Sequence, residues 1–371
     1  MGKSNVYEIY VIIVFIYYIY TLVKSLTMKT EGAAIVFVGV IILIVASVNE
    51  ILYERDILKL GYLLPYGLFI FIFFQSYVLS IRFSKAFSTV EELSENLEKK
   101  VEERTHQLAK RTKELNYKNE QIVDSITYSR RIQYSILPRQ ARIAAYCSSH
   151  FVIWKPRDIV GGDFYWFNEV ENNFLIAVVD CTGHGVPGAL MTMAANSVLN
   201  QIIQDHCNND PATILKLLNK IIRNTLHQDM ASTLSDDGLD IGLCYCIRKE
   251  RRLIYAGAKI PLYYTNNAEV NKVEGDKQSI GYRNSKVDFD YANNEVHVEK
   301  DAMFYFATDG YVHQVGEATG LPFTRNKFED IIRDVTQNPI DEQRVIFENR
   351  LKEHQGKETQ RDDVTVLGFR I

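Results

Sequence analysis

Cysteine is scarce in this chain, five among 371 residues, which excludes a disulfide-stapled scaffold. There is no excess of positive charge. Lys and Arg number 42 against 46 Asp and Glu, a net charge of −4, which excludes a generally basic nucleic-acid binder. Charged residues are 24%, too ordinary for a wholly disordered chain. No G-x-G-x-x-G or Walker A motif is read in the chain, so nucleotide binding of those kinds has no support. Residues 84–126 contain neither proline nor glycine. Long uncharged apolar runs are confined to the first 81 residues. At roughly 150 residues per domain, the length allows two or three units.

The apolar runs are Ile9–Val23, Gly32–Asn49 and Leu60–Ile81. A bilayer core takes about 20 apolar residues as a helix. The third run meets that length, the second nearly does, and the first does if Val6 and Tyr7 join it. A cleaved leader would not be followed by two more such runs, so three transmembrane helices over 1–83 are expected. Lys24 and Lys29 lie between the first two runs, and Arg82 and Lys85 follow the third. The loop between the second and third runs mixes Glu50, Glu54 and Asp56 with Arg55 and Lys59. The positive-inside rule then places everything after Arg82 in the cytoplasm. The expected location is the inner membrane, multi-pass, with a reducing compartment around the C-terminal part.

Residues 84–126 read as a helical rod. Val101, Leu108, Leu115 and Ile122 fall at heptad spacing, the period of a coiled-coil seam. The step from Leu97 to Leu108 reads as a stutter. Arg104, Arg111 and Lys118 occupy the second apolar column, so the seam is thin. A parallel homodimer is expected, against the alternative of one solvated helix. The helix predicted here runs on to Leu137, before Pro138. Ile122, Ile126, Ile132 and Ile136 give this stretch an apolar side that should pack on the next domain.

From about residue 139 the pattern is strands with few helices. Strands are predicted at Phe174–Val179, Ile241–Ile247, Arg252–Tyr264, Met303–Thr308 and Val364–Ile371. Helices are predicted at Gly188–Gln204, with Met191, Met193 and Ala194–Ala195 towards the core, and at Pro211–Leu226. Strands in runs favour an α+β fold. Cys244 and Cys246 share one strand face and read as packing residues.

Four segments share a design of strand followed by aspartate: Gly161-Gly162-Asp163, Val178-Val179-Asp180-Cys181-Thr182-Gly183-His184-Gly185, Ala307-Thr308-Asp309-Gly310 and Arg361-Asp362-Asp363-Val364. Any one aspartate alone reads as a turn residue or cap. As a set, carboxylates converging at strand ends would raise one another's pKa, a penalty that a divalent cation removes. Oxygen-only donors suit Mg²⁺ or Mn²⁺ over Zn²⁺.

These four motifs, in this order, resemble the PP2C-like phosphatases of the SpoIIE/RsbU type over roughly residues 125–371. The membrane part, with Gly61-Tyr62-Leu63-Leu64-Pro65-Tyr66-Gly67, resembles the last helices of bacterial 7TM receptors with diverse intracellular signalling modules. The first resemblance implies an αββα sandwich with two β-sheets between helical layers, over 127–371. It implies a metal-dependent protein serine/threonine phosphatase acting through a water activated by two Mn²⁺ or Mg²⁺ ions. By the same resemblance, Asp180 bridges the metals, Cys181 offers its backbone carbonyl, and Asp163, Asp309 and Asp362 are the remaining ligands. Asp363 is the second choice to Asp362, and Asp240 a candidate for a third ion. Arg157 aligns loosely with a phosphate-binding arginine. His184 either protonates the leaving oxygen or shapes the turn. Cys181 is not expected to be a nucleophile, because no Cys-x5-Arg loop follows it. The implied substrate is a phosphoserine or phosphothreonine protein, of anti-sigma-factor-antagonist type. A catalytically silent phosphoprotein-binding module and a dimerisation scaffold are the alternatives.

Overall fold

The computed structural model describes residues 2–28, 31–58, 60–206, 209–228, 236–266, 269–299 and 302–371. Lys29 and Lys59, which enter the orientation reading, lie outside them. The chain divides into two compact units, Met1–Asn116 and Tyr117–Ile371.

The first unit is helical: α1 (Gly2–Thr27), α2 (Ala33–Glu54) and the start of α3 (Leu64–Ile136). Small residues let α2 and α3 approach closely. A Cβ on Gly39 would lie 3.2 Å from Phe74, and one on Gly67 would lie 2.6 Å from Ala46. Asn49 donates to the Gly61 carbonyl at 2.9 Å. Arg82 donates to the Glu31 carbonyl at 2.7 Å and Lys85 pairs with the Glu31 carboxylate, so the α1–α2 turn and the basic residues after the third apolar run share one end of the bundle. Among the described residues, two helices are long and apolar enough to cross a membrane: α2 and the one beginning at Leu64. The described apolar stretch of α1, Ile13–Thr27, is shorter. Phe69 and Phe73 are mostly exposed. The third apolar run, the rod and the segment before Pro138 are one continuous helix of 73 residues, about 110 Å long.

The second unit is a four-layer sandwich. After α3 come α4 (Gln140–Tyr146), β1 (Ser149–Lys155), β2 (Asp163–Val170), β3 (Asn173–Cys181), α5 (Gly185–His206) and α6 (Pro211–Thr225). Then come β4 (Leu239–Ile247), β5 (Arg252–Ala258), β6 (Leu262–Asn266), β7 (Glu269–Val273), β8 (Asn294–His297) and β9 (Phe304–Ala307). The chain ends with α7 (Asp309–Val312), α8 (Arg325–Val335), α9 (Ile340–Gln355) and β10 (Val364–Arg370). One sheet has the order β1-β10-β9-β6-β7 and the other β2-β3-β4-β5-β8. Helices α5 and α6 cover the second sheet, and α8 and α9 cover the first. Phe174–Val179 is buried at every position because β3 has a sheet on one face and helices on the other. Helix α6 opens on Asp210, whose carboxylate accepts from the Thr213 amide at 2.9 Å with Pro211 next to it.

Three expectations are corrected. Arg252–Tyr264 is two strands, β5 and β6, in different sheets, because the chain crosses between sheets at Lys259, whose φ is 61°. Of the predicted apolar side of α3, Ile126 and Ile136 are half-buried but Ile122 and Ile132 are exposed; the fully buried position is Gln133, with Leu137 just beyond the helix. Met193 points outward while Met191 and Ala195 are buried. Helices α8 and α9 are not foreseen, although Phe328, Ile331, Ile332 and Val335 carry a clear helical period.

Candidate metal centre

Antiparallel pairing brings the aspartates together. Asp309 does follow a strand, but Asp180 is the penultimate residue of β3, Asp163 opens β2, and Asp362 and Asp363 precede β10, so what the aspartates share is the sheet end and not a place after a strand. Asp163 stands opposite Asp180, and Asp180 stands opposite Asp240. Directly opposite residues share a face, with Cβ atoms about 4.5–5.5 Å apart. Three carboxylates therefore form a row across β2, β3 and β4. In the other sheet Ala307 pairs with Val366, which sets Asp309 and Asp362 at one end of that sheet. Thr308 joins the sheets, donating to the Asp163 carboxylate at 2.6 Å and accepting from the Thr365 amide at 2.9 Å.

Burial, then the carboxylate of Asp180, pushes Asp163 well above the usual carboxylate range. Burial, then Asp309, Asp240 and Asp362, does the same to Asp180. Asp240 is raised mainly by burial, and its Oδ1 is buried with no hydrogen-bond partner. Among the described residues no three His, Cys, Asp or Glu side chains close into a ready-made metal cage. The donor set nevertheless fits a hard divalent cation. It is all oxygen, mutually repulsive, and contains an orphaned buried acceptor.

Asp363 is used differently from its neighbour. Its carboxylate accepts from the amides of Arg157 at 2.6 Å and Gly162 at 2.5 Å, and it is buried, whereas Asp362 is exposed. Gly162 can have no side chain: a Cβ there would lie 2.7 Å from the Cys181 carbonyl oxygen and against that of Gly183. A Cβ on Gly188 would in turn lie 2.8 Å from Gly162 Cα, so α5 rests directly on this loop. The reading that no G-x-G-x-x-G motif is present is corrected: Gly183-His184-Gly185-Val186-Pro187-Gly188 has that spacing, directly after β3. It is no dinucleotide fingerprint, since the next strand pairs antiparallel and no βαβ unit forms.

The Cys181 thiol is buried, and burial, then Asp180, pushes its pKa well above 9.0, so it carries no nucleophilic thiolate. Cys244 and Cys246 are buried in the core as read. His184 Nδ1 lies 2.7 Å from Asp158 Oδ2. The Arg157 guanidinium donates to the Arg361 carbonyl at 3.0 Å. Sequence reasoning missed Asp158, Thr308 and Gln133. Lone polar residues of this kind carry no spacing signal. Thr308 sits beside Asp309, where a buried hydroxyl next to a ligand candidate was open to suspicion.

A sandwich of two five-stranded sheets between helices, with carboxylates gathered at one end, defines a PP2C-type serine/threonine phosphatase domain. Residues 171–371 match the family described as Stage II sporulation protein E (SpoIIE), and the chain belongs to that family. The solved SiaA-PP2C domain of Pseudomonas aeruginosa is 41% identical with a TM-score of 0.62, over 68% of this chain and 98% of that one. Phosphoserine phosphatase RsbU of Bacillus subtilis is 22% identical over 156 residues, 42% of this chain and 44% of RsbU. The PP2C domain of Bacillus subtilis SpoIIE, solved with a fragment of its regulatory domain, is 16% identical with a TM-score of 0.49, over 60% of this chain and 61% of that one.

Proposed function

We propose that this chain is a membrane-anchored, metal-dependent phosphatase that removes phosphate from serine or threonine of a partner protein. The observation that carries the reading is the row Asp163–Asp180–Asp240 meeting Asp309 and Asp362 at one end of the two sheets. Asp180, central in the row and influenced by Asp309, Asp240 and Asp362, would be the carboxylate shared by two Mn²⁺ or Mg²⁺ ions. Asp163, Asp309, Asp362 and the Cys181 carbonyl are the other donors. Asp363 is withdrawn from the set because both its oxygens hold backbone amides. When bound, the two cations supply a water of lowered pKa and screen charge on the phosphoryl oxygens. Asp158 engages His184 Nδ1, leaving Nε2 to hand a proton to the departing serine or threonine oxygen. The name of RsbU supports a phosphoserine substrate, and a protein of anti-sigma-factor-antagonist type is the candidate.

Helix α2 and the apolar start of α3 support anchoring, with the phosphatase domain in the cytoplasm. Leu108 and Leu115 are 64% and 66% exposed in the single chain, and a second copy in a parallel dimer would cover them. The test is Mn²⁺-dependent hydrolysis of a generic phosphoester by the full chain in detergent, with Asp180→Asn as control. A silent binding module or a scaffold gives no metal-dependent turnover. The phosphoprotein that accumulates in cells carrying Asp180→Asn identifies the substrate.

A further inference from the structure

A polar side chain sits at the centre of the α3 face that packs on the phosphatase domain. Gln133 is 1% exposed. Its amide nitrogen donates to the Gly161 carbonyl at 2.6 Å, and its amide oxygen accepts from the Gly161 amide at 3.2 Å. The same nitrogen lies 3.2 Å from the hydroxyl of Thr192 on α5. One side chain thus satisfies both backbone groups of one residue, as a neighbouring strand would. A Cβ on Gly161 would lie 2.6 Å from the Asp363 carboxylate. Gly161 is therefore held between Gln133 on one side and Asp363 on the other, two residues before Asp163.

We infer that Gln133 is a positioning residue for the metal centre: it fixes the Gly161–Gly162 loop, and through it the start of β2 that carries Asp163. The inference rests on the two-metal reading above. Gly161 has no side chain through which anything else could hold it, and leaving a buried amide pair of this kind unmade exposes both groups to their full desolvation cost.

The experiment compares Gln133→Leu, Gln133→Glu and Gln343→Leu in the full chain in detergent. Gln343 is an equally buried amide on α9, bonded to Tyr305 and Asn338, away from the carboxylates. Three quantities are read: the Mn²⁺ dissociation constant by calorimetry, hydrogen exchange of the Gly161–Asp163 amides in EDTA, and the melting temperature in EDTA. Gln133→Leu is expected to weaken Mn²⁺ binding about tenfold or more, as loss of a supporting contact does at metal sites, and to speed exchange at Gly161–Asp163. Gln343→Leu is expected to lower the melting temperature without either effect. Gln133→Glu keeps the acceptor and loses the donor, and is expected to fall between; it carries the test where Gln133→Leu does not fold. Unchanged Mn²⁺ affinity and exchange in the folded Gln133 variants, or equal losses in Gln343→Leu, would overturn the inference. Failure of the unaltered chain to bind Mn²⁺ would instead remove the metal reading on which it stands.

Discussion

The hydroxyl of Thr308, the residue after β9, donates to the carboxylate of Asp163, at the start of β2, across 2.6 Å. The two residues are on different sheets, and both are buried. The bond ties the two halves of the carboxylate cluster to each other. It also restrains the orientation of Asp163, because one of its oxygens holds a fixed hydrogen bond.

Removing that hydroxyl should loosen the site without emptying it. Thr308→Val keeps shape and β-branching. Mn²⁺ affinity is expected to fall about tenfold, the usual size for a lost supporting bond. Activity at saturating Mn²⁺ should recover to within a few-fold. Calorimetric titration alongside activity against Mn²⁺ concentration checks this, and equal affinities for Thr308→Val and the unaltered chain would show that the bond does not orient Asp163.

Changing a central carboxylate should separate catalysis from folding. Asp180→Asn and Asp309→Asn are each expected to abolish Mn²⁺-dependent hydrolysis. Asp180→Asn should at the same time leave the metal-free protein as stable or more so, because it removes one member of a repulsive row. Near-normal turnover by either variant at saturating Mn²⁺ would sink the two-metal assignment.

The same carboxylates set a pH dependence with a definite sign. The native pKa values of Asp163 and Asp180 are raised above the ordinary 3.8. The metal-free native state thus binds protons more tightly than the unfolded chain. Their contribution is fully present below the ordinary value and is lost as pH rises through the raised native values. The melting temperature in EDTA should therefore rise as pH is lowered from 8 towards 5, more in the unaltered chain than in Asp180→Asn. Mn²⁺ should stabilise most at the alkaline end. Identical pH profiles for the two proteins in EDTA would show that Asp180 carries no such strain.

Much of this site is legible in the sequence because sheets align short motifs. Gly161-Gly162-Asp163 and Asp180-Cys181-Thr182-Gly183 carry their aspartates beside glycines that the backbone needs for close approach. What escapes is set by partners remote in sequence. Nothing local distinguishes Asp362 from Asp363; the difference is that Asp363 finds the amides of Arg157 and Gly162 about two hundred residues away. Gln133 escapes because an apolar period does not reveal a buried helix face centred on an amide. The crossing at Lys259 escapes because Arg252–Tyr264 is mostly apolar, although Lys259 and Pro261 interrupt it and Pro261 is the local signal that one continuous strand does not fit.

A thiol beside the site tests the choice of nucleophile. Cys181→Ser preserves the backbone carbonyl, so substantial activity is expected. Placing a hydroxyl in a buried apolar setting should lower stability by about 1–3 kcal/mol, read from denaturant unfolding. Mass spectrometry of the quenched enzyme should find no phosphate on Cys181. A trapped phosphocysteine there would exclude attack by water on the phosphoprotein.

The rod offers a test in which register is set against length. Helix α3 is continuous from Leu64 to Ile136, so a deletion within it turns everything on one side relative to the other. Four residues span about 400° of helix, which leaves a rotation of roughly 40°. A heptad spans about 700°, only about 20° short of two turns, and supercoiling absorbs that difference. Deleting Val101–Gln107 keeps Leu108, Leu115 and Ile122 in phase with the helix upstream. If the seam of two parallel chains transmits a signal, this heptad deletion should leave phosphatase activity in membranes within about twofold of its starting value. Deleting only 104–107 should change activity several-fold in either direction. Replacing Leu108 and Leu115 by Asn should weaken the dimer, because both are now exposed apolar residues with no other partner in the single chain. Sedimentation of the full chain in detergent reads the oligomeric state. A monomer at tens of micromolar, with activity indifferent to both deletions, would reduce the rod to a tether.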